Sequence, residues 1–97
     1  MRKDEKRWLD AICRLGCVVC LVEGLGKSPA EPHHLLLKSG RRMGHMFTIP
    51  LCPLHHRSGR NDEKCVSRHP YRDQFERRYG TEASLLERTR ELVGALA

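Results

Sequence analysis

Apolar residues recur at helical spacing near the start of the chain. Within residues 5–15, Trp8, Leu9, Ile12 and Leu15 share one face, which predicts a first helix. Gly16 would end it, and Cys17 to Cys20 reads as a turn. Residues 23–32 (EGLGKSPAEP) are rich in Gly and Pro and read as a loop. His33–Leu37 and Met46–Leu51 read as two strands. Ser39–Gly44 is a basic, glycine-containing loop between them, so 33–51 is expected to be a hairpin with a long loop. Proline is tolerated in the first turn of a helix, so a short helix is expected from Pro53 to about residue 58, stopping at Gly59. Residues 70–79 (PYRDQFERRY) lie between Pro70 and Gly80, a helix signature at both ends. Thr81 would cap a last helix, with Leu85, Leu92, Val93 and Leu96 on one face and Glu87 and Arg90 three residues apart. The order of helix, hairpin and three further helices defines an α+β fold.

Length changes this picture by limiting the core. The chain has 97 residues, of which 39% are apolar and 5% aromatic. That is expected to be one domain, residues 1–97, close to the size at which a hydrophobic core needs help. A structural metal is a common remedy, and five cysteines and six histidines could supply its ligands. No apolar run approaches the roughly 20 residues that span a bilayer, and Met1 to Lys6 is charged without an apolar signal core behind it. The chain therefore reads as cytoplasmic, where closely spaced cysteines point to metal rather than disulfides. Net charge is +6, and its distribution is uneven. Residues 72–97 hold five arginines and five acids. From Pro32 to Asn61 there is no acid, whereas Lys38, Arg41, Arg42, Arg57, Arg60 and five of the six histidines lie there. Such a surface either attracts a polyanion through its phosphates or simply solubilises the protein.

Cys17-x2-Cys20 and Cys52-x2-His55 are separated by 31 residues. Two residues between ligands let a tight turn aim both side chains at one ion, and four N/S donors close a tetrahedral zinc site. Zinc would tie the first helix to the hairpin. The competing reading is a redox CxxC among buried cysteines, but no thioredoxin-like βαβ pattern surrounds it. Cys13, one helical turn before Cys17, is expected to be a small core residue. Cys65 lies in a polar loop without an evident role.

His33, His34, His56 and His69 remain. Neighbours on a strand face opposite ways, so one of His33 and His34 can face a metal while the other serves a different purpose. His56 follows the zinc ligand His55 and would point away from it. A second metal site beside the zinc is therefore geometrically reasonable, although a lone histidine is more often a surface or packing residue.

CVVC, EPHHLL and FTIPLCPLHH together resemble an HNH (ββα-metal) endonuclease of the zinc-binding variant. From Pro32 to Gly80, with SRHPYRDQFERRYGTE at its end, the sequence is similar to the phage Ref family, recombination-enhancement nucleases whose DNA cutting depends on a RecA filament. The resemblance covers about residues 17–93. It implies a zinc-stabilised hairpin-plus-helix core over residues 17–69 with flanking N-terminal and C-terminal helices, the latter in residues 70–97. It implies that His34 is the general base, and that His33 and His56 hold a catalytic divalent cation. In many HNH enzymes the third ligand lies one helical turn further on. Here that position is Arg60, so His69 takes the role. The middle Asn of the HNH pattern falls near Phe47 and is absent; His45 or Thr48 would substitute.

In this reading a neutral His34 takes a proton from water, and the cation on His33, His56 and His69 stabilises developing charge on the phosphate. All three ligands are neutral, so an anionic phosphate can approach. Mg²⁺ prefers oxygen donors, whereas histidines suit Mn²⁺, Ni²⁺, Co²⁺ or Zn²⁺; the catalytic metal stays open. Lys38, Arg41, Arg42, Arg57 and Arg60 would contact the DNA backbone, which positions without reading bases. The partners implied are DNA and a RecA filament, in a bacterial host cell with a phage or prophage origin, and no membrane. Two rivals remain: a zinc-stabilised DNA-binding module without catalysis, and a nuclease-like scaffold that has lost activity.

Overall fold

The computed structural model describes residues 1–96; the last residue of the expected domain, Ala97, lies outside them. It has five helices and one two-stranded sheet among the described residues. Helix α1 spans Lys3–Leu15, two residues earlier than the apolar pattern indicates. Asp4 and Glu5 favour the helix N-terminus electrostatically, and Glu5 accepts the Arg2 N–H at 2.9 Å. The apolar stripe is as expected: Ile12 and Leu15 are buried, and Trp8 and Leu9 half-buried. Gly16 ends the helix at φ +90°, and a Cβ there would meet the Ser28 carbonyl at 2.8 Å. Both the left-handed backbone and the close approach call for glycine.

Cys17–Cys20 is not a turn. Cys17 caps a short helix α2, Val18–Val22, its sulfur accepting the Cys20 N–H at 3.5 Å. Burying Val18 and Val19 completely favours helix over turn at this point. Strands β1 (Glu31–His34) and β2 (Thr48–Leu51) are antiparallel, with His33 opposite Ile49 and His34 opposite Thr48. β1 starts two residues earlier and ends three residues sooner than the sequence suggests, and β2 starts two residues later; Pro32 and Pro50 face each other inside the pairing and supply no N–H. Beyond His34 the ribbon continues through single hydrogen bonds, Leu35 N–H to Phe47 O and Met43 N–H to Leu35 O, both 2.9 Å. Every residue of β2 is buried, beneath α1 and the C-terminal helix.

Pro53 starts a one-turn helix α3, Pro53–His56, shorter than the expected 53–58. Helix α4 is Arg72–Tyr79 and α5 is Glu82–Leu96. The buried face of α5 is Glu82, Leu85, Leu86 and Thr89, with Leu92 and Val93 at its edge. Leu96 is not part of it: the helix runs past the core and leaves Leu96 exposed. Glu87 and Arg90 do pair, at 2.6 Å. Cys13 is exposed rather than a core residue, because one helical step of about 100° carries it off the buried stripe of Ile12 and Leu15. Cys65 is buried, its thiol donating to Leu54 O at 3.4 Å. Val18, Val19, Ile49, Leu51, Phe75, Leu85 and Leu86 form the centre of the core. No helix among the described residues is long and apolar enough to cross a membrane.

Two candidate metal centres

The four residues of the paired short motifs converge. Cys17, Cys20, Cys52 and His55 are all buried, their donor atoms within 4.8 Å of one another. Cys17 and Cys52 occupy the N-cap positions of α2 and α3, and Cys20 and His55 follow three residues later in the same turns. A tetrahedral ion with bonds of about 2.3 Å to sulfur and 2.0–2.1 Å to nitrogen separates its ligands by roughly 3.8 Å (S···S) and 3.6 Å (S···N). Cys20 Sγ lies 3.8 Å from Cys52 Sγ, and His55 Nδ1 lies 3.6 Å from Cys20, 3.9 Å from Cys17 and 3.1 Å from Cys52. That spacing suits a zinc ion and is far beyond the roughly 2.05 Å of a disulfide. Burial pushes the Cys17 thiol up to about 12 and raises Cys20 as well. Thiolates there need a directly bound cation. The Ser28 hydroxyl, buried without a hydrogen-bond partner, sits beside Cys20, whose thiolate it would stabilise.

The second cluster is His33 from β1, His56 from α3 and His69 from the segment before α4, with donor nitrogens within 4.8 Å. His69 reaches the site because its backbone N–H bonds to His56 O at 2.9 Å, while Arg68 N–H bonds to His55 O at 2.8 Å. The segment around residues 68–69 is thus laid alongside α3. His33 Nδ1 and His56 Nε2 face each other at 3.2 Å. Behind them stand carboxylates. His33 Nε2 donates to Glu82 Oε1 at 2.9 Å, and His56 Nδ1 donates to Glu31 Oε1 at 2.6 Å. With the single N–H of each neutral imidazole turned to its carboxylate, both facing nitrogens present lone pairs. Two lone pairs at this distance repel unless a cation lies between them. Nitrogens on one first-row ion, at about 2.1 Å, are roughly 3.0–3.4 Å apart, so the pair fits. A carboxylate behind a metal-binding histidine fixes its tautomer and raises its basicity.

Burial lowers the pKa of His56 against the opposing pull of Glu31, and burial and Arg68 lower that of His69. Both therefore favour the neutral, ligating form. Glu82 is held at about 2: burial pushes it up, but hydrogen bonds from His33 and the buried Arg68 outweigh that.

His34 lies next to this cluster on the other face of β1. Together with Pro32, His33, Leu36, Arg42, His56, Arg57 and His69 it lines a cavity of about 290 Å³. Its Nε2 is 3.1 Å from His45 Nδ1. Burial, then Arg42, lowers the His34 pKa, so it is a free base at neutral pH. His45 is itself held. Its carbonyl accepts the Thr48 hydroxyl at 2.9 Å, and Thr48 Oγ1 accepts Trp8 Nε1–H at 2.9 Å. Of the two stand-ins expected for the missing Asn, His45 contacts His34 and Thr48 fixes His45.

The expected basic residues separate. Arg42 and Arg57 line the histidine cavity, but Arg57 is paired with Glu31 at 2.7 Å. Arg60 does not join them. It pairs with Asp62 at 3.0 Å and lines a recess on the zinc side with Cys52, His55 and Lys64. Lys38, Arg41 and Arg42 form no ion pair among the described residues and sit on the extended ribbon beyond β1. The three clustered donors are all histidines, and two carboxylates stand behind them. Glu31 immediately precedes the acid-free stretch and Glu82 lies well past its end, and they stand behind His56 and His33 respectively. Pattern reading missed them because each lies in a separate segment. The one available signal was an acid immediately before Pro32-His33-His34.

The chain is thus a small α+β protein built around a buried Cys3His cluster and an adjacent three-histidine cluster backed by carboxylates. The sequence model of one family, described as recombination enhancement, RecA-dependent nuclease, matches residues 2–94, and the chain belongs to that family. No curated protein matches it.

Proposed function

We propose that the protein is a metal-dependent endonuclease of the HNH kind that hydrolyses DNA phosphodiester bonds in concert with a RecA filament, as one domain spanning the whole chain. The observation that supports this reading best is the shared cavity. It brings together His34, backed by His45, the converging nitrogens of His33, His56 and His69, and the unpaired cation Arg42. A purely structural DNA-binding module has no use for a second histidine cluster backed by two carboxylates.

His33, His56 and His69 would hold a divalent cation, which when bound supplies positive charge for the phosphate oxygens. Cys17, Cys20, Cys52 and His55 would hold a structural zinc. The protein's own part is the proton. In the tautomer that donates Nε2–H to His45 Nδ1, His34 keeps a lone pair on Nδ1. It takes the proton of a water as the oxygen attacks phosphorus and the ester bond to the 3′ oxygen breaks; the 3′ oxygen leaves and takes a proton from solvent, and the imidazolium keeps its hydrogen bond to His45. Arg42 holds the phosphate at the cavity, and Lys38 and Arg41 carry the flanking backbone. Arg57 and Arg60, already paired with carboxylates, contribute less.

The test is incubation with supercoiled plasmid and with single-stranded DNA, each with Mg²⁺ or Mn²⁺, with and without RecA and ATP. Cutting should need the divalent ion, respond to RecA, and vanish in His34→Ala. Cutting unchanged in His34→Ala, or absent under every condition, would overturn the reading in favour of a binding module or an inactive scaffold.

A further inference from the structure

The ribbon beyond β1 and β2 is an ordered finger. Leu37 N–H bonds to Arg41 O at 2.8 Å, Gly40 N–H to Leu37 O at 2.9 Å, and Leu36 pairs with Arg42. Gly40, at φ +87°, closes the tip in a left-handed conformation. Paired residues of a ribbon share a face and alternate along it. Leu36 and Arg42 therefore line the histidine cavity, and Leu37, Arg41 and Met43 stand on the other face. Leu37 and Met43 are 50% and 37% exposed, although both are large and apolar. Lys38, Arg41 and Arg42 surround them without a single acid between Pro32 and Asn61.

We propose that the tip of the ribbon, residues 37–43, enters a groove of double-helical DNA beside the histidine cavity and presses Leu37 and Met43 between stacked bases. This rests on the DNA-cutting reading above and names the substrate feature that the site selects. Arginines on opposite faces of a narrow ribbon match a partner with negative charge on both walls, which a groove provides. The apolar part of such a partner is its base stack. Apolar side chains flanked by cations act on it as wedges that partly unstack a step. A two-stranded ribbon is also narrow enough to enter a DNA groove. Selection is then for DNA that unstacks easily, not for a sequence.

The experiment uses the full zinc-loaded chain carrying His34→Ala, so that DNA stays intact. Binding is measured to a short, fully paired duplex and to the same duplex with a central mismatch, each carrying 2-aminopurine. The mismatched duplex should bind about tenfold more tightly, since its unstacking cost is already met, and 2-aminopurine fluorescence should rise on binding. Adding Leu37→Ser and Met43→Ser should reduce the preference to within about twofold and remove the fluorescence rise, with melting unchanged because both positions are exposed. Arg41→Ala should instead weaken both duplexes alike and lower the salt slope by about one. Equal binding of the two duplexes, a serine variant that keeps preference and fluorescence, or tighter capture by phosphatidylserine vesicles than by either duplex would overturn the proposal. The cutting assay with His34→Ala judges the nuclease reading separately.

Discussion

Glu82→Gln offers the sharpest test of how the histidine cluster is held. Glu82 is buried in the first turn of α5 and accepts hydrogen bonds from His33 Nε2 and from Arg68, itself buried. Glutamine keeps the shape and can still accept from His33, but it removes the charge. Arg68 then becomes a buried guanidinium without a counter-ion, and breaking such a pair costs about 3–5 kcal/mol. In a domain of this size 1 kcal/mol moves the melting temperature by roughly 4–8 °C, so Glu82→Gln should melt at least about 12 °C lower. Affinity of the histidine cluster for Mn²⁺ or Co²⁺ should fall about 10–100-fold, the usual effect of losing a carboxylate behind a ligating histidine. Adding Arg68→Met separates the two effects. It removes the orphaned charge and should recover most of the melting temperature, but none of the metal affinity. Thermal melts of the zinc-loaded protein and calorimetric Mn²⁺ titration read both. A single variant that melts and binds metal like the parent, or a double variant that regains metal binding, would refute the reasoning.

Two further outcomes follow from the geometry. Cys52→Ala should lose the bound zinc by elemental analysis and unfold at ambient temperature, since the Cys3His site joins α2 to α3 across the core and a structural zinc supplies folding free energy directly; a folded, zinc-free Cys52→Ala would count against a structural role. His45→Ala should lower kcat on the order of tenfold or more, short of the roughly 10²–10⁴-fold expected for loss of the base His34, with KM and Mn²⁺ affinity unchanged and partial rescue by His45→Gln; an equal fall in metal affinity would show that His45 supports the fold instead.

Much of this arrangement was legible because it follows from short-range spacing. Two residues between ligands keep both close enough to share one ion, so Cys17, Cys20, Cys52 and His55 could be grouped without knowing the fold. The alternation of a strand likewise separated the surroundings of His33 and His34. Residues that act through long-range packing were not legible. Glu82 meets His33 only because α5 packs on β2, and the Trp8–Thr48 hydrogen bond depends on α1 covering the same strand. The position of Arg60 relative to His56 was not legible for a related reason. Helical periodicity carried it one turn beyond His56, but α3 ends at His56 and the chain turns toward the zinc side. Cys13 and Leu96 failed similarly, since the edge of a buried face is set by where the neighbouring element stops.

The two clusters are joined by the shortest possible link. His55 and His56 are consecutive on a one-turn helix, so a side chain on the zinc side and one on the cavity side are fixed by the same few backbone torsions. Segment 68–69 doubles the connection: Arg68 N–H holds the His55 carbonyl, His69 N–H holds the His56 carbonyl, and the Arg68 side chain reaches Glu82 behind His33. A chain with so little apolar residue cannot fix three histidines from separate segments by core packing alone, because each would keep rotamer freedom that a small core does not outweigh. A zinc ion on Cys17, Cys20, Cys52 and His55 would replace that missing core. By fixing α3 it would fix His56, through the α3 carbonyls it would align His69, and through Arg68 and Glu82 it would bear on His33. The four residues of the Cys3His cluster would then be part of the architecture of the histidine cavity, and a protein this small could position both clusters.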